Sequence, residues 1–186
     1  MPRLIVLNGP PGIGKSTIAR LYVAEHPLAL NLDIDRLRDL IGGWRDHAYE
    51  AGLRARAVAL EAARTHLAAD LDVVVPQFIG RPDFLDELTR LAAEVGADYH
   101  EIVLLDTKEH ALRRFAERSR AAAEPAHVEA HEMLHRNGGA DELANMYDRL
   151  LEIVAARPST VVVTTVSGGV RNAYRDVLSE LGGSKR

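Results

Sequence analysis

The sequence RLIVLNGPPGIGKSTIAR at residues 3–20 decides the fold of this chain. It begins with an apolar run, continues through a segment of glycine and proline, and ends in a helical pattern. Gly9, Gly14, Lys15 and Ser16 match the spacing G-x-x-x-x-G-K-[ST], with a strand before and a helix after, which is the context that this pattern requires. The pattern predicts a loop whose backbone N–H groups surround phosphate oxygens at the positive end of the following helix.

The side chains of this loop suit a nucleotide. Lys15 is one of only three lysines in the chain, and its compact charge on a long stem can reach the β- and γ-phosphates where a planar guanidinium would not fit. The Ser16 hydroxyl can bind Mg²⁺. A glycine-rich turn without a ligand is the structural alternative. The residues predicted to bind the nucleotide are Gly9, Pro11, Gly12, Ile13, Gly14, Lys15, Ser16 and Thr17.

The composition is that of a globular domain. The 186 residues are 47% hydrophobic and 27% charged, which predicts a single domain spanning residues 1–186. A net charge of −4 provides no overall attraction to nucleic acid or to an anionic membrane. The chain has no cysteine and no apolar run long enough for a signal peptide or a membrane span, so we expect a cytoplasmic protein without disulfides.

Short apolar runs alternate along the chain with longer segments of helical periodicity. The runs are continuous, which is typical of strands buried on both faces of a parallel sheet. We expect strands at residues 4–8, 28–33, 72–77, 99–106 and 160–165, and helices at 15–25, 35–42, 47–69, 83–95, 107–120, 141–156 and 170–181. Asp83 is predicted to cap the fourth helix and Gly96 to end it. The alternation predicts an α/β fold with a five-stranded parallel sheet between helices.

A phosphate-binding loop alone leaves several reaction classes open. GTPases read guanine through an N/T-K-x-D sequence, which does not occur here. Motor ATPases carry an apolar strand that ends in Asp-Glu, whereas the run at residues 72–77 ends in Pro76 and Gln77. A small kinase is the class favoured for a chain of this length. A nucleotide-sensing switch without turnover is the non-enzymatic alternative.

Two carboxylates follow the second predicted strand, in the sequence NLDIDRLRDLI at residues 31–41. Asp33 and Asp35 are two residues apart, so on an extended segment both would face the ligand crevice at the carboxyl end of the sheet. Asp33 is predicted to help hold Mg²⁺, Asp35 to accept the proton of an attacking hydroxyl, and both to contact substrate. Arg38, one helical turn beyond Asp35, is predicted to bind substrate or to steady Asp35. The structural alternative is that Asp35 only caps the helix that begins at Arg36.

The start of the chain resembles the 5′-hydroxyl polynucleotide kinase domain. The shared positions, at unchanged spacing, are Gly9, Pro11, Gly12, Gly14, Lys15, Ser16, Thr17, Ala19, Arg20, Pro27, Asn31, Asp35 and Arg38. Chloramphenicol phosphotransferase and shikimate kinase are similar at Asp35 and at Asp33-Ile34-Asp35, respectively. The resemblance covers roughly residues 1–40, and beyond them only the order of elements. It implies a three-layer P-loop NTPase fold with a helical lid, ATP or alternatively GTP with Mg²⁺, and a base or substrate anchor at Asp35.

The same resemblance assigns roles later in the chain. ALRRFAERSR at residues 111–120 resembles the helix that leads into a lid insert at about residues 119–140. Arg114 is implied to lie against adenine, and Arg118 or Arg120 to contact the transferring phosphate, where a guanidinium can spread developing charge. An ordinary solvated helix face is the structural alternative. The loop after the last strand is implied to pack near adenine through Gly168, Gly169 and Val170.

Gln77 departs from the pattern of related kinases, which often carry an acidic residue at the end of the third strand. The difference leaves Asp33 or water to complete the metal shell. Gln77 and Arg81 are predicted to contact the acceptor. Further candidates for the acceptor pocket, each with a core or surface role as the alternative, are Trp44, Arg45, Arg54 and Phe78.

A second motif indicates different chemistry. HEMLHRNGGAD at residues 131–141 resembles the zinc-binding helix of metzincin proteases, with ligands at His131, His135 and Asp141 and a base at Glu132. Met146 follows too closely for a methionine turn, and the segment falls where the lid is expected. His127 extends the histidines to a stripe at i, i+4 and i+8, typical of one helical face. Protease function is therefore disfavoured, and incidental metal binding by the stripe stays open.

The sequence therefore predicts an ATP-dependent kinase that transfers the γ-phosphate to a hydroxyl of a small molecule, such as a nucleoside, a sugar or an antibiotic. Lys15, Asp35 and Arg118 are the predicted catalytic residues. The runner-up acceptor is a polynucleotide 5′-hydroxyl, and no membrane partner is expected.

Overall fold

The computed structural model describes residues 1–113, 139–166 and 168–183, in which strands and helices alternate. Its elements in chain order are β1 (Arg3–Asn8), α1 (Lys15–Glu25), β2 (Leu30–Asn31), α2 (Ile34–Asp39), α3 (Ala48–Leu67), β3 (Val73–Pro76), α4 (Pro82–Val95), β4 (Asp98–Leu105), α5 (Gly139–Ala156), β5 (Val161–Thr164) and α6 (Val170–Gly183). Residues 108–113 are also helical.

The five strands form one parallel sheet in the order β2-β3-β1-β4-β5. The central strand β1 pairs with β3, where Leu7 lies opposite Pro76, and with β4, where Asn8 lies opposite Val103. Because all strands are parallel, their carboxyl ends lie at one edge, and the loops that leave β1, β2 and β3 meet there. The five-stranded parallel sheet predicted from the sequence is confirmed.

Helices cover both faces of the sheet and bury two hydrophobic cores. One core packs α3, α4 and part of α5 against the sheet, and the other packs α1 and α6 against the opposite face. The buried side of α3 carries alanine at every fourth position, at Ala51, Ala55, Ala59 and Ala63. Residues four apart share one helix face, and small side chains there let the helix approach closely. In open parallel sheets covered on both faces in this way, ligands bind at the carboxyl edge of the strands.

The predicted extent of the second strand and the predicted cap of α4 are wrong. The strand expected at residues 28–33 is only two residues long, since Leu28 has a φ of 65° and Asp33 already caps α2. The α4 helix begins at Pro82, with Arg81 at its N-cap and no side-chain cap hydrogen bond, so Asp83 is not its cap. Asp83 lies in the first turn, where a carboxylate is favoured by the helix dipole. Gly96 ends the helix at a φ of 70°, as predicted.

A buried ion pair joins the sheet to the helices of one face. Glu101 of β4 has 1% of its side chain exposed and accepts hydrogen bonds from Arg157 Nε at 2.8 Å, Thr160 Oγ1 at 2.7 Å and Tyr99 Oη at 3.1 Å. Burial raises the pKa of the Tyr99 hydroxyl, which therefore remains a donor. Arg157, just after α5, also contacts Asp86 of α4 at 2.5 Å. This network connects β4, α4 and the end of α5.

Candidate active site

The phosphate-binding loop joins β1 to α1 at the carboxyl edge of the sheet. Its first residue, Gly9, has a φ of 148°, and a β-carbon there would approach the Leu104 carbonyl oxygen to 2.6 Å, so only glycine fits. Gly14 is the N-cap of α1 at a φ of 114°, without a side-chain cap hydrogen bond. The first N–H groups of α1 are therefore uncapped by a side chain, which makes this helix end favourable for an anion.

Lys15 is buried, and its ammonium group lies within the loop. The Nζ atom donates to the carbonyl oxygens of Gly9 at 2.8 Å and Pro10 at 3.0 Å. Ser16 and Thr17 follow in the first turn of α1. The structure thus brings together the predicted residues of the loop around one helix end, and their binding of a nucleotide stays a prediction.

Asp33 caps α2. Its Oδ1 atom accepts hydrogen bonds from the backbone N–H groups of Asp35 at 3.2 Å and Arg36 at 3.4 Å, and 15% of its side chain is exposed. The expected extended segment is wrong because the helix already begins at Ile34, and the cap is Asp33 instead of Asp35. Burial, followed by the charge of Asp35, raises the pKa of Asp33. The Oδ1 atom of Asp33 is engaged in the helix cap, and the binding of a metal ion by Asp33 stays a prediction.

Asp35 lies in the first turn of α2, and 56% of its side chain is exposed. Its Oδ1 atom lies 3.2 Å from Arg38 Nη1, and its Oδ2 atom accepts a hydrogen bond from Gln77 Nε2 at 3.5 Å. Arg38 in turn lies over the Trp44 ring, with 4.4 Å between its guanidinium carbon and the ring centroid. The structure therefore brings together four of the residues predicted for the acceptor side, and it links α2 to the end of β3.

Gln77 begins a loop at residues 77–81 that lies beside the phosphate-binding loop. The Asn8 side chain joins the two loops: its Oδ1 atom accepts from the N–H groups of Gly9 at 2.8 Å and Ile79 at 2.9 Å, and its Nδ2 atom donates to the Ile79 carbonyl at 3.0 Å. The sequence reasoning missed Asn8. The available signal was a polar residue at the end of an apolar strand, because a buried amide requires hydrogen-bond partners.

The other predicted acceptor residues are spread over this side of the molecule. Arg81 is exposed at the N-cap of α4, and Phe78 packs over Gly80, where a β-carbon would approach its ring to 3.0 Å. The guanidinium carbon of Arg45 lies 4.7 Å from the centroid of the Trp44 ring, so Arg45 is joined to Arg38 through that ring. Arg54, the remaining candidate for the acceptor pocket, lies in a groove along the outer side of α3. Val58, Glu61 and His66 also line this groove.

The loop between β5 and α6 packs against the phosphate-binding loop. A β-carbon on Gly14 would approach Val170 Cγ2 to 3.5 Å. The Gly169 N–H donates to the Val166 carbonyl at 2.9 Å, and a β-carbon on Gly169 would approach Val166 Cγ2 to 2.8 Å. The close turn therefore leaves little room for a side chain at Gly169, and the contact of Val170 places the predicted adenine loop beside the start of α1. Contact of Gly168 and Gly169 with adenine stays a prediction.

Part of the predicted site lies outside the described residues. These positions are Arg114, Arg118, Arg120, His127, His131, Glu132 and His135, with most of the lid insert at residues 119–140. Asp141, the third zinc ligand of the protease alternative, is exposed in the first turn of α5. On either side of the undescribed segment, Tyr147 Oη donates to the Asp106 carbonyl at 2.6 Å, and Lys108 Nζ lies 2.7 Å from Asp148 Oδ1. Residues 106–108 are thereby held against α5.

Metal clusters and membrane spans were not found in the part of the chain that the structure describes. Within residues 1–113, 139–166 and 168–183, no three His, Asp or Glu side chains form a group that could hold a metal ion. Over the same ranges, no helix has both the length and the apolar character needed to cross a membrane. The metal-site candidates from the sequence remain Ser16 and Asp33.

Comparison with known proteins identifies a family. A family described as AAA domain matches residues 4–143, more than half of the chain. No curated protein matches the sequence.

Solved structures match over nearly the whole chain. A candidate kinase from Chloroflexus aurantiacus has a TM-score of 0.65 at 17% identity, over 99% of this chain and 98% of that one. The tunicamycin resistance protein of Deinococcus radiodurans has a TM-score of 0.60 at 17% identity, over 98% and 96% of the two chains. A gluconokinase from Sinorhizobium meliloti has a TM-score of 0.57 at 19% identity, over 100% and 98%. The likeness shows the fold, and the predicted three-layer P-loop NTPase fold is confirmed.

Proposed function

The chain belongs to the AAA domain family, and on this premise we propose that it is an ATP-dependent kinase that transfers the γ-phosphoryl group to a hydroxyl group of a small molecule. The observation that carries the proposal is the Asp35 carboxylate, held by Arg38 and Gln77 at the end of β3, the strand next to β1 and its phosphate-binding loop. Phosphoryl transfer needs a phosphate-binding site with a proton acceptor close beside it.

The loop suits the triphosphate of ATP, with GTP as the alternative nucleotide. The uncapped N-terminus of α1 offers N–H groups to phosphate oxygens. Lys15 Nζ contacts two carbonyl oxygens of the loop, and a phosphate oxygen, which carries more negative charge, would compete for the same donor. Ser16, and Asp33 directly or through water, would supply the oxygen atoms that Mg²⁺ prefers, with Asp33 Oδ2 lying 3.8 Å from Arg36 Nε. Mg²⁺, when bound, neutralises charge on the β- and γ-phosphates.

Asp35 is proposed as the base. Its carboxylate takes the proton of the acceptor hydroxyl as the hydroxyl oxygen forms a bond to the γ-phosphorus, and the bond from that phosphorus to the bridging oxygen breaks to release ADP. Contacts with Arg38 and Gln77 orient the carboxylate, while the exposed part of its side chain remains open to the acceptor. Arg118 is proposed to spread the charge that develops on the transferring phosphoryl group.

The acceptor is proposed to be a neutral or weakly charged small molecule. A net charge of −4 provides no attraction to a polynucleotide, whose binding depends largely on neutralising phosphates. The acceptor would lie between Asp35 and the loop of residues 77–81, where Gln77 and Arg81 are the proposed contacts. A polynucleotide 5′-hydroxyl is the alternative acceptor, and a test can separate the two.

The test is a panel of acceptors with purified protein and MgATP, measured by ADP release and by the mass of the product. Nucleosides, sugars, aminoglycosides and short 5′-hydroxyl oligonucleotides are compared, with Lys15→Ala as the control that removes transfer. One class of small hydroxyl compound is expected to gain a phosphoryl group. Oligonucleotide phosphorylation that weakens steeply with salt would favour the alternative acceptor. ATP binding without acceptor-dependent ADP release would instead indicate a nucleotide-sensing switch and refute the proposal.

A further inference from the structure

We propose that Asn8 is a positioning residue for the transfer reaction. Its side chain fixes the loop of residues 77–81 against the phosphate-binding loop, and in this way it sets the place of the acceptor hydroxyl relative to the γ-phosphate. The inference rests on the proposed function, and it concerns a residue that contacts neither substrate directly.

The hydrogen bonds of Asn8 fix the orientation of its amide. A backbone N–H group only donates and a backbone carbonyl only accepts, so the atom facing the N–H groups of Gly9 and Ile79 must be the oxygen. The amide nitrogen then faces the Ile79 carbonyl. Both Asn8 and Ile79 are buried. If these hydrogen bonds were lost, the buried polar groups would therefore remain unsatisfied, which costs free energy. One side chain thus satisfies both backbone groups of Ile79 and the first N–H group of the phosphate-binding loop.

The fixed loop carries the proposed acceptor contacts. Ile79 lies between Gln77 and Arg81, and the Gln77 side chain donates to Asp35. A second anchor is the Gln77 N–H, which donates to the Leu7 carbonyl of β1 at 3.1 Å. A shift of the loop at Ile79, which this second anchor limits but does not prevent, would also move the Gln77 side chain that orients the base. Misplacing reacting groups by about 1 Å can reduce a rate by about 100-fold.

The affinity for ATP is expected to depend on Asn8 much less than the rate of transfer does. The Gly9 N–H donates to Asn8, so this group does not serve a phosphate. Gly9 supports the shape of the loop, and the groups proposed to contact phosphate or Mg²⁺ lie at the start of α1, where Lys15 and Ser16 stand. Loss of Asn8 should therefore separate the two halves of the reaction: transfer falls while the affinity for ATP is retained. A residue that only stabilises the fold would reduce both in proportion to the folded fraction.

The test compares Asn8→Ala and Asn8→Asp with Val177→Ala. In its ionised form the aspartate retains an acceptor for the two N–H groups but cannot donate to the Ile79 carbonyl, so at alkaline pH it separates the two kinds of bond and gives a second variant if the alanine variant does not fold. Val177 is buried in α6 on the other face of the sheet, and its truncation is a destabilising control. Amide hydrogen exchange at Ile79, the Kd for ATP, and kcat with the best acceptor are measured, with kcat corrected for folded protein.

In Asn8→Ala, exchange at Ile79 is expected to accelerate, kcat to fall at least about tenfold, and the Kd for ATP to change less than about threefold. Asn8→Asp should protect the Ile79 N–H better than the alanine variant and still lose transfer, because the bond to the Ile79 carbonyl is gone. Val177→Ala should retain its corrected kcat within about twofold.

Three results would overturn the inference: unchanged exchange at Ile79, faster exchange with unchanged kcat, or equal losses of ATP affinity and kcat. A wild-type protein that phosphorylates no acceptor would refute the proposed function and the positioning role with it. Exchange at Ile79 needs no acceptor, so it would still report whether Asn8 joins the two loops.

Discussion

Replacing Arg157 by alanine is expected to destabilise the fold strongly, although Arg157 is not among the predicted functional residues. Arg157 contacts Glu101 at 2.8 Å, Asp86 at 2.5 Å and Thr89 at 3.3 Å. The Glu101 side chain is 1% exposed, so removal of its cationic partner leaves a buried carboxylate that keeps only the hydroxyl donors of Thr160 and Tyr99.

The magnitude follows from the difference between the two ion pairs. The Asp86 side chain is 54% exposed, and such a pair contributes only about 0–1 kcal/mol. Breaking a buried pair by removing one partner costs about 3–5 kcal/mol, so Glu101 dominates. A domain with a stability of about 5–15 kcal/mol would lose a large share of it. For a chain of this length, the Tm should fall by about 6–20 °C.

The assay is urea unfolding followed by circular dichroism. Arg90→Ala, at an exposed position of α4, is the matched control and should change stability by less than about 0.5 kcal/mol. Adding Glu101→Gln to Arg157→Ala removes the unpaired charge and should restore part of the loss. A loss below about 1 kcal/mol in the single variant, or no recovery in the double variant, would refute this reasoning.

Three further predictions concern the loop, the α2 cap and pH. Gly9→Ala should weaken ATP binding at least about tenfold by calorimetry, because its β-carbon would lie 2.6 Å from the Leu104 carbonyl oxygen; unchanged affinity would contradict this. Asparagine in Asp33→Asn can still cap α2. Burial raises the pKa of Asp33, so the wild-type protein loses stability as pH rises and this carboxyl group ionises. The Asp33→Asn variant does not ionise at this position and should not show that loss. Its Tm at neutral pH should equal or exceed that of the wild type, and a lower Tm would count against the assignment. Burial lowers the pKa of His100, so the unfolded state takes up the proton first and stability is lost as pH falls below about 6.5. His100→Gln should therefore lose less Tm between neutral and mildly acidic pH than the wild type, and an equal loss would contradict the prediction.

The parts of the fold that local sequence determines were predictable. The phosphate-binding loop depends on the spacing of Gly9, Gly14 and Lys15, and the buried strands depend on continuous apolar runs, which are signals within a few residues. The helix end at Gly96 likewise follows from one residue that readily adopts a positive φ. The strand order β2-β3-β1-β4-β5 is a property of long-range pairing, and local patterns do not contain it.

The parts that depend on distant or competing contacts were not predictable. Asn8 and Ile79 are 71 positions apart, and Arg157 and Glu101 are 56 apart. No periodicity links such pairs. The wrong prediction of an extended segment at Asp33 has a different origin. The residues around Asp33 suit both a strand and a helix, and the identity of the cap depends on where the helix begins. A shift of that start by two residues, from Arg36 to Ile34, decides which aspartate caps the helix and which is left for chemistry.

The measurement that tests the central claim most directly is the effect of Asp35→Asn on transfer and on ATP affinity, determined on the same preparation. A base contributes about 10²–10⁴-fold to the rate. The variant is therefore expected to lose that factor in kcat while the Kd for ATP stays within about threefold, because the phosphate-binding loop does not involve Asp35. Asp39→Asn, an exposed carboxylate on the same helix, is the control and should retain kcat. Unchanged kcat in Asp35→Asn, or equal losses of kcat and ATP affinity, would contradict the account.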